Sequence, residues 1–365
     1  MTREKLKEIV EAIRKQTPRG WILMSPNSIG EVLITCAFAR SLIVTTGYPV
    51  TLCVRPEHAA LVETLYPNRF SAVLQLGQEV MRAFSTSGLI PPDFFDIDFP
   101  INLSPMQHGG NDRLLQFHSL IYKRGGRSGM TLTDVWRHML HLDWDAPMET
   151  PCMDYFMQDK PFLDQLGVAG ADYTLFQIGN NTNKPLPASF WASMEQMALE
   201  RNLKVLVNLN GSMLVEKGLN FERAQICRLG ILEALYVSYR SSSVVGGNNG
   251  LALSTAFLEY NENAPVVNVI TTNMYCKHYH LLAQEWENAF VPYDGIPSIA
   301  AGAPELISTS ARVNEWHVAT GLSDDTYHHV ANDIANENRD SEFFFSLPPC
   351  TGDSPIPHTV SFVKL

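Results

Sequence analysis

"WILMSPNSIGEVLITCAFARSL", residues 21 to 42, decides the fold. A short apolar run closing on Ser25 gives way to a loop of small residues, then to a lone carboxylate at Glu31 and a long apolar stretch. A run of this length suits a strand of a parallel sheet, buried on both faces. After Ile29, the spacing of Val32, Cys36, Ala39 and Ile43 predicts a helix with one apolar face. The same handover recurs along the chain. In the first half, strands are expected at "VTLCV" (50–54), "AVLQL" (72–76) and "FFDIDF" (94–99). The helix "PEHAALVETLYP" opens on Pro56 and Glu57, both suited to a first turn. A second series holds strands at "YTLFQIG" (173–179), "KVLVNLN" (204–210), "SVVGGN" (243–248) and "PVVNVIT" (265–271), with "PASFWASMEQMALERN" and "ILEALYVSYRSS" as helices between them. Strands alternating with helices are the sequence form of βαβ units, so the fold class is α/β with doubly wound, mainly parallel sheets.

At 365 residues the chain suits two such domains. The expected division is an N-terminal Rossmann-like domain over 1–155, a linker over 156–170 and a second Rossmann-like domain over 171–310. A helix and an irregular tail follow over 311–365, and the proline-rich "DAPMETPCMDYFMQDKP" marks the linker region. A formal charge of −11 argues against nucleic-acid binding, since phosphate backbones select basic faces. The six cysteines form no C-x-x-C pair and read as reduced thiols. The first residues, "MTREKLKEIVEAIRKQ", are charged and helical, unlike a secretion signal, and no apolar run reaches membrane-spanning length, so the expected compartment is the cytoplasm.

Parallel sheets bind ligands at the carboxyl ends of their strands, which directs attention to three loops. In "PNSIGE", Ser28 belongs to the loop, Gly30 permits close backbone approach and Glu31 enters the next helix. This carboxylate either complements the helix dipole or serves as a general base. In "FQIGNNTNKPLPASFW", Asn181, Thr182 and Lys184 combine amide, hydroxyl and cation in a manner suited to a diphosphate; an ordinary turn is the alternative. In "RSSSVVGGNNGLALSTAF", a strand ends in glycines and a helix of small residues begins at Asn248, Asn249, Gly250 and Leu251. The N–H groups of that helix start suit an anion, and close strand-to-helix packing is the alternative.

These three motifs, in this order and rough spacing, resemble the bacterial ADP-heptose:lipopolysaccharide heptosyltransferases of glycosyltransferase family nine, over most of residues 21 to 271. The resemblance implies a GT-B architecture: two Rossmann-like domains facing across a cleft, with the nucleotide sugar held mainly by the C-terminal one. It implies that Glu31 occupies the place of the family's catalytic aspartate. It also implies that Lys184, with Asn181 and Thr182 before it, contacts the donor phosphates, and that Asn248-Asn249-Gly250-Leu251 stands for the family's Asp-Thr-Gly-Leu. Glu31 carries one methylene more than aspartate, about 1.5 Å of added reach. Asn248 lacks the family's charge, and Leu253 stands where many relatives have histidine.

The function so implied is an inverting, metal-independent glycosyltransferase of the hexosyl or heptosyl type in cell-surface glycan biosynthesis. It would move a sugar from a nucleotide-diphosphate donor to a hydroxyl of a glycan, lipid-linked or protein acceptor. Alternatives are a nucleotide-sugar epimerase of the same fold and a catalytically silent nucleotide-sugar-binding protein. No cofactor beyond the donor and no metal are expected. Asp96 and Asp98 have D-x-D letters but read as one face of a strand, and the pairs His138/His141 and His278/His280 lack further ligands at metal spacing. Phe117, Tyr122, Trp136 and Trp144 read as core or as an acceptor surface. The basic loop with Arg124 and Arg127 is solvated or meets an anionic acceptor or the inner-membrane surface, as a peripheral protein would.

Overall fold

The computed structural model describes residues 2–16, 20–25, 29–81, 101–103, 136–137, 140, 142–143, 145–178, 185–209, 218–247, 255, 258, 264–272, 312–318, 323–336, 345–346 and 361–362. These fall into two units, one within Met1–Tyr155 and the other from Phe156 onward.

The first unit runs α1 (Arg3–Gln16), β1 (Trp21–Ser25), α2 (Ile29–Thr46), β2 (Val50–Val54), α3 (Pro56–Leu65), β3 (Ala72–Gln75) and β4 (Ile101–Leu103). Among the described residues its four strands are all parallel, in the order β3-β2-β1-β4. Alternate residues of β1 face opposite ways, as the pleat requires. Ile22 and Met24 pack with Cys53 against Leu6, Val10 and Ile13 of α1. Trp21 N–H donates to Pro49 O at 2.9 Å, so the chain passes close at Gly20, where a Cβ would overlap that same carbonyl. Pro56 presets the first turn of α3 behind Arg55, which holds an extended backbone.

Helix α2 departs from the one-faced expectation, because every residue from Val32 to Ala39 is buried. Residues 136, 137 and 145–149 lie distant in sequence but cover its outer side. Trp136 Nε1 donates to Thr35 Oγ1 at 3.0 Å, and Arg137 lies over the Phe38 ring. Glu149 N–H donates to Ala37 O at 2.8 Å, and Ser41 Oγ donates to Pro147 O at 2.7 Å. Trp136, a candidate for an acceptor surface, is thus a core residue at 1% exposure; Phe117, Tyr122, Trp144, Arg124 and Arg127 lie outside the described residues, as do Asp96 and Asp98.

The second unit opens with α4 (Asp154–Met157) and α5 (Phe162–Gln165) and continues through β5 (Tyr173–Gln177), α6 (Ala188–Glu200), β6 (Lys204–Asn208), β7 (Gln225–Cys227), α7 (Ile231–Tyr239), β8 (Ser243–Gly247), β9 (Val266–Thr272), β10 (Arg312–Val318), α8 (Asp324–Asn336), β11 (Phe345–Ser346) and β12 (Ser361–Phe362). The strands order as β11-β12-β10-β9-β8-β5-β6-β7, parallel except for the β11–β12 pair.

Two boundaries expected from sequence shift. Residues 156–170 are packed into this unit instead of forming a linker. Phe156 is fully buried against Tyr239, Tyr236 OH donates to Gln158 O at 2.9 Å, and Lys160 N–H donates to Tyr236 OH at 3.1 Å. The sheet also continues past residue 310, because β10 pairs with β9 along its whole length. Two short tail strands then extend the same sheet, where irregular structure was expected. Helix α8 starts at Ser323, whose Oγ accepts from Thr326 N–H at 3.2 Å, and carries Asp324 and Asp325 in its first turn. Its Tyr327, Val330 and Ile334 join Phe190, Trp191 and Met194 of α6 in one core cluster. Across from it, Tyr173, Leu175, Leu206, Ala234 and Val237 form a second cluster under α7.

Candidate functional site

The order in which each chain lays down its strands locates the site. In the second unit β5 comes first, β6 and β7 are added on one side, and β8, β9 and β10 on the other. The winding therefore reverses between β5 and β8. Loops diverge at such a reversal and leave a crevice at the carboxyl ends of the strands, where ligands bind in open α/β sheets. Two of the three loops singled out from sequence leave from these two strands. β5 ends at Gln177, two residues before Gly179, and α6 resumes at Ala188 behind Pro187. β8 ends at Gly247, directly before Asn248, Asn249, Gly250 and Leu251. The strands are hydrogen-bonded neighbours with Gln177 level with Gly246, so the two loops start side by side. Gly246 and Gly247 are both buried.

The first unit repeats this plan. β1 comes first, β2 and β3 lie on one side and β4 on the other, so its reversal falls between β1 and β4. The segment leaving β1 contains Ser28 and leads to Gly30 and Glu31, the second and third residues of α2. Ser28, Asn181, Thr182, Lys184, Asn248, Asn249, Gly250 and Leu251 lie outside the described residues, as does the side chain of Glu31. The strand ends that carry them are what the structure fixes.

Beneath the reversal of the second unit runs a chain of buried amides that the sequence reading missed. Asn208 Nδ2 donates to Gln177 Oε1 at 2.9 Å, Gln177 Nε2 donates to Ser238 Oγ at 3.4 Å, and Leu229 N–H donates to Asn208 Oδ1 at 3.1 Å. Gln177 and Asn208 are the last residues of β5 and β6 and stand level with each other. The signal lay in "YTLFQ" and "KVLVN", two apolar strands closing on an amide at matching positions. On the α6 side, the buried carboxylate of Glu195 accepts from the N–H groups of Glu222, Arg223 and Ala224 at 2.8, 2.8 and 2.6 Å. It fixes the approach to β7.

At the carboxyl ends of β1 and β2, Ser25 stands level with Val54, and His58 follows in the first turn of α3. Ser25 Oγ and His58 Nδ1 are buried and have no hydrogen-bond partner among the described residues. Burial pushes the His58 imidazole down from 6.5 to about 4, with Glu57 opposing the shift and Arg55 adding to it. The folded protein thus keeps this ring neutral, whereas the unfolded chain takes up a proton below about pH 6.5. Stability present above pH 6.5 is therefore lost as the pH falls towards 4. At about 1.4 kcal/mol per pH unit the loss reaches about 3 kcal/mol, and His58→Leu should flatten this part of the profile in urea unfolding measured at stepped pH. A slope equal in the two proteins would remove the assignment.

Among the described residues, no group of three or more His, Cys, Asp or Glu side chains is placed to hold a metal ion, and no helix is long and apolar enough to cross a membrane. His138, His141, His278 and His280 lie outside the described residues. The buried Cys53 thiol is pushed up by desolvation to about 12, and that of Cys36 higher still, so neither is a nucleophile near neutral pH.

No family model matches the chain, and no curated protein matches it in sequence. Among solved structures it is similar to a glycosyl transferase family 9 protein from Veillonella parvula, at 12% identity and a TM-score of 0.49, over 88% of this chain and 98% of that one. It is similar to E. coli ADP-heptose lps heptosyltransferase II at 11% identity and a TM-score of 0.48, over 87% and 99% of the two chains. A third likeness is to TibC from enterotoxigenic E. coli, described as an iron-containing dodecameric glycosyltransferase, at 11% identity and a TM-score of 0.45. That match covers 69% of this chain, which spans 58% of the length of TibC.

Proposed function

We propose that the chain is a GT-B glycosyltransferase that moves a sugar from a nucleoside-diphosphate donor to a hydroxyl of a glycan, lipid-linked or protein acceptor. The observation that carries this reading is the pairing of loops at the second unit's winding reversal. The segment that holds Asn181, Thr182 and Lys184 and the segment that holds Asn248 to Leu251 leave from adjacent parallel strand ends, Gln177 and Gly247. A lysine, a hydroxyl and backbone N–H groups within reach of one another would supply the chemistry a diphosphate requires. The first unit, which supplies Glu31 from its own reversal, is the acceptor domain.

In the reaction, the acceptor hydroxyl attacks the anomeric carbon and a new glycosidic C–O bond forms. The bond from that carbon to the diphosphate oxygen breaks, its electron pair leaving with the nucleoside diphosphate. The hydroxyl proton passes to the Glu31 carboxylate. A single displacement inverts the anomeric centre. Charge developing on the leaving group would be met by Lys184, by the Thr182 hydroxyl and by the N–H groups at Asn249 and Gly250, as electrostatic stabilisation of the transition state requires. The scheme is written without a metal, in keeping with the sequence reading of Asp96 and Asp98 as alternate residues of an apolar run. We propose a cytoplasmic enzyme with peripheral contact at the inner membrane, a contact that the basic "KRGGRSG" stretch would favour in a chain of net charge −11.

The test is release of nucleoside diphosphate from a nucleotide sugar, with and without candidate acceptors. Release that depends on acceptor supports the transferase. Release and recapture without acceptor, with the sugar epimerised, would replace it with the epimerase reading; no turnover despite tight binding would leave a silent binding protein.

A further inference from the structure

We infer that Gln177 and Asn208 are positioning residues for the two diphosphate loops, an inference that rests on the function proposed above. Both are almost fully enclosed, at 2% and 1% exposure. Burying primary amides costs free energy that apolar residues would not, and the cost is offset only when every donor and acceptor is matched. Here the matching is directional. Asn208 ties the end of β6 to the end of β5 through its Nδ2, and to the entry of α7 by accepting from Leu229 N–H. Gln177 hands the chain on to Ser238, inside α7, a side chain that is itself fully buried. One line of hydrogen bonds therefore joins the final residues of two strands and the helix packed on them.

Gln177 is also level with Gly246, so the residue gripped by this line stands beside both points where the loops depart. Anion binding by backbone N–H groups requires those groups to be held within about 0.5 Å of a productive geometry, which the supporting side chains must provide. An amide line fixes strand ends in register and direction more tightly than interchangeable apolar contacts do.

A control exists in the same pair of strands. Ser243 Oγ donates to Thr174 Oγ1 at 2.8 Å, linking β8 to β5 at their amino ends. Thr174 lies three residues before Gln177, roughly 10 Å away along the strand. Removing that bond tests stability of the sheet without touching the loop ends.

The experiment is calorimetric titration with ADP, UDP, GDP, CDP and dTDP, using the full chain and the variants Gln177→Met, Asn208→Leu, Ser238→Ala and Thr174→Val, each checked for cooperative thermal unfolding. The expected result is at least tenfold weaker binding of the preferred diphosphate in Gln177→Met and Asn208→Leu, several-fold in Ser238→Ala, and a change within twofold in Thr174→Val even where its melting temperature falls as far. Ser238→Ala leaves both amides in place, so it carries the test if the larger changes prevent folding. Equal affinities across all the folded variants would overturn the inference and leave the amides as ordinary stabilising groups. A wild-type protein that binds none of the five would instead remove the diphosphate reading on which it rests.

Discussion

Glu31→Gln should lower the rate of sugar transfer by about a thousandfold and leave donor affinity within twofold. Glutamine keeps the length and hydrogen-bonding reach of the side chain but cannot take up the acceptor proton. General-base catalysis contributes about 10²–10⁴ in rate, so a loss of this size is the signature of a lost base. Glu31 lies in the first turn of α2, where a carboxylate also complements the helix dipole, an effect worth about 0.3–1 kcal/mol. The two roles separate cleanly. A dipole residue replaced by glutamine costs a little stability and no rate; a base costs rate and little stability. Steady-state kinetics beside urea unfolding decides between them. Glu31→Asp adds a measure of reach, because it withdraws the carboxylate by about 1.5 Å and should retain only part of the rate.

Much of the architecture could be read from the chain because its strands are short apolar runs with Gly, Pro and Asn between them. β1 and β2 begin and end where "WILMS" and "VTLCV" do, and β5, β6, β8 and β9 fall within a residue or two of expectation. Local patterns could not supply what depends on distant partners. The sequence predicts one apolar face on α2, and the partners that bury its other side, Trp136, Arg137 and the 145–149 segment, come from a hundred residues away. The proline-rich stretch around Pro151 looks like a linker for the same reason: it packs on α2 and α3, with Glu149 N–H donating to Ala37 O at 2.8 Å and Cys152 N–H donating to Leu65 O at 2.7 Å. At the candidate site, the loops were legible as small and polar residues after strands, but strand order was not. The side-by-side departure of the two C-terminal loops, and the amides beneath them, follow from β8 returning to the other side of β5, which no periodicity encodes.

Lys184→Ala is the second large effect. A lysine ammonium against a diphosphate makes charge-assisted hydrogen bonds worth about 1.5–3 kcal/mol each, and truncation to a methyl leaves the phosphate charge without that partner. Affinity for the diphosphate should fall between tenfold and a hundredfold. Because the contact strengthens as the leaving group gains charge, turnover should fall as well, beyond what saturating donor restores. Elevated salt should narrow the gap between wild type and variant, as it does for any partly exposed ion contact.

The central claim is that the second unit grips a diphosphate where its sheet reverses its winding. Isothermal titration of the wild-type chain and of Lys184→Ala with nucleoside diphosphates tests it most directly. The account predicts that at least one nucleotide binds the wild type and binds the variant at least tenfold more weakly. Binding by neither protein, or equal binding by both, would contradict it.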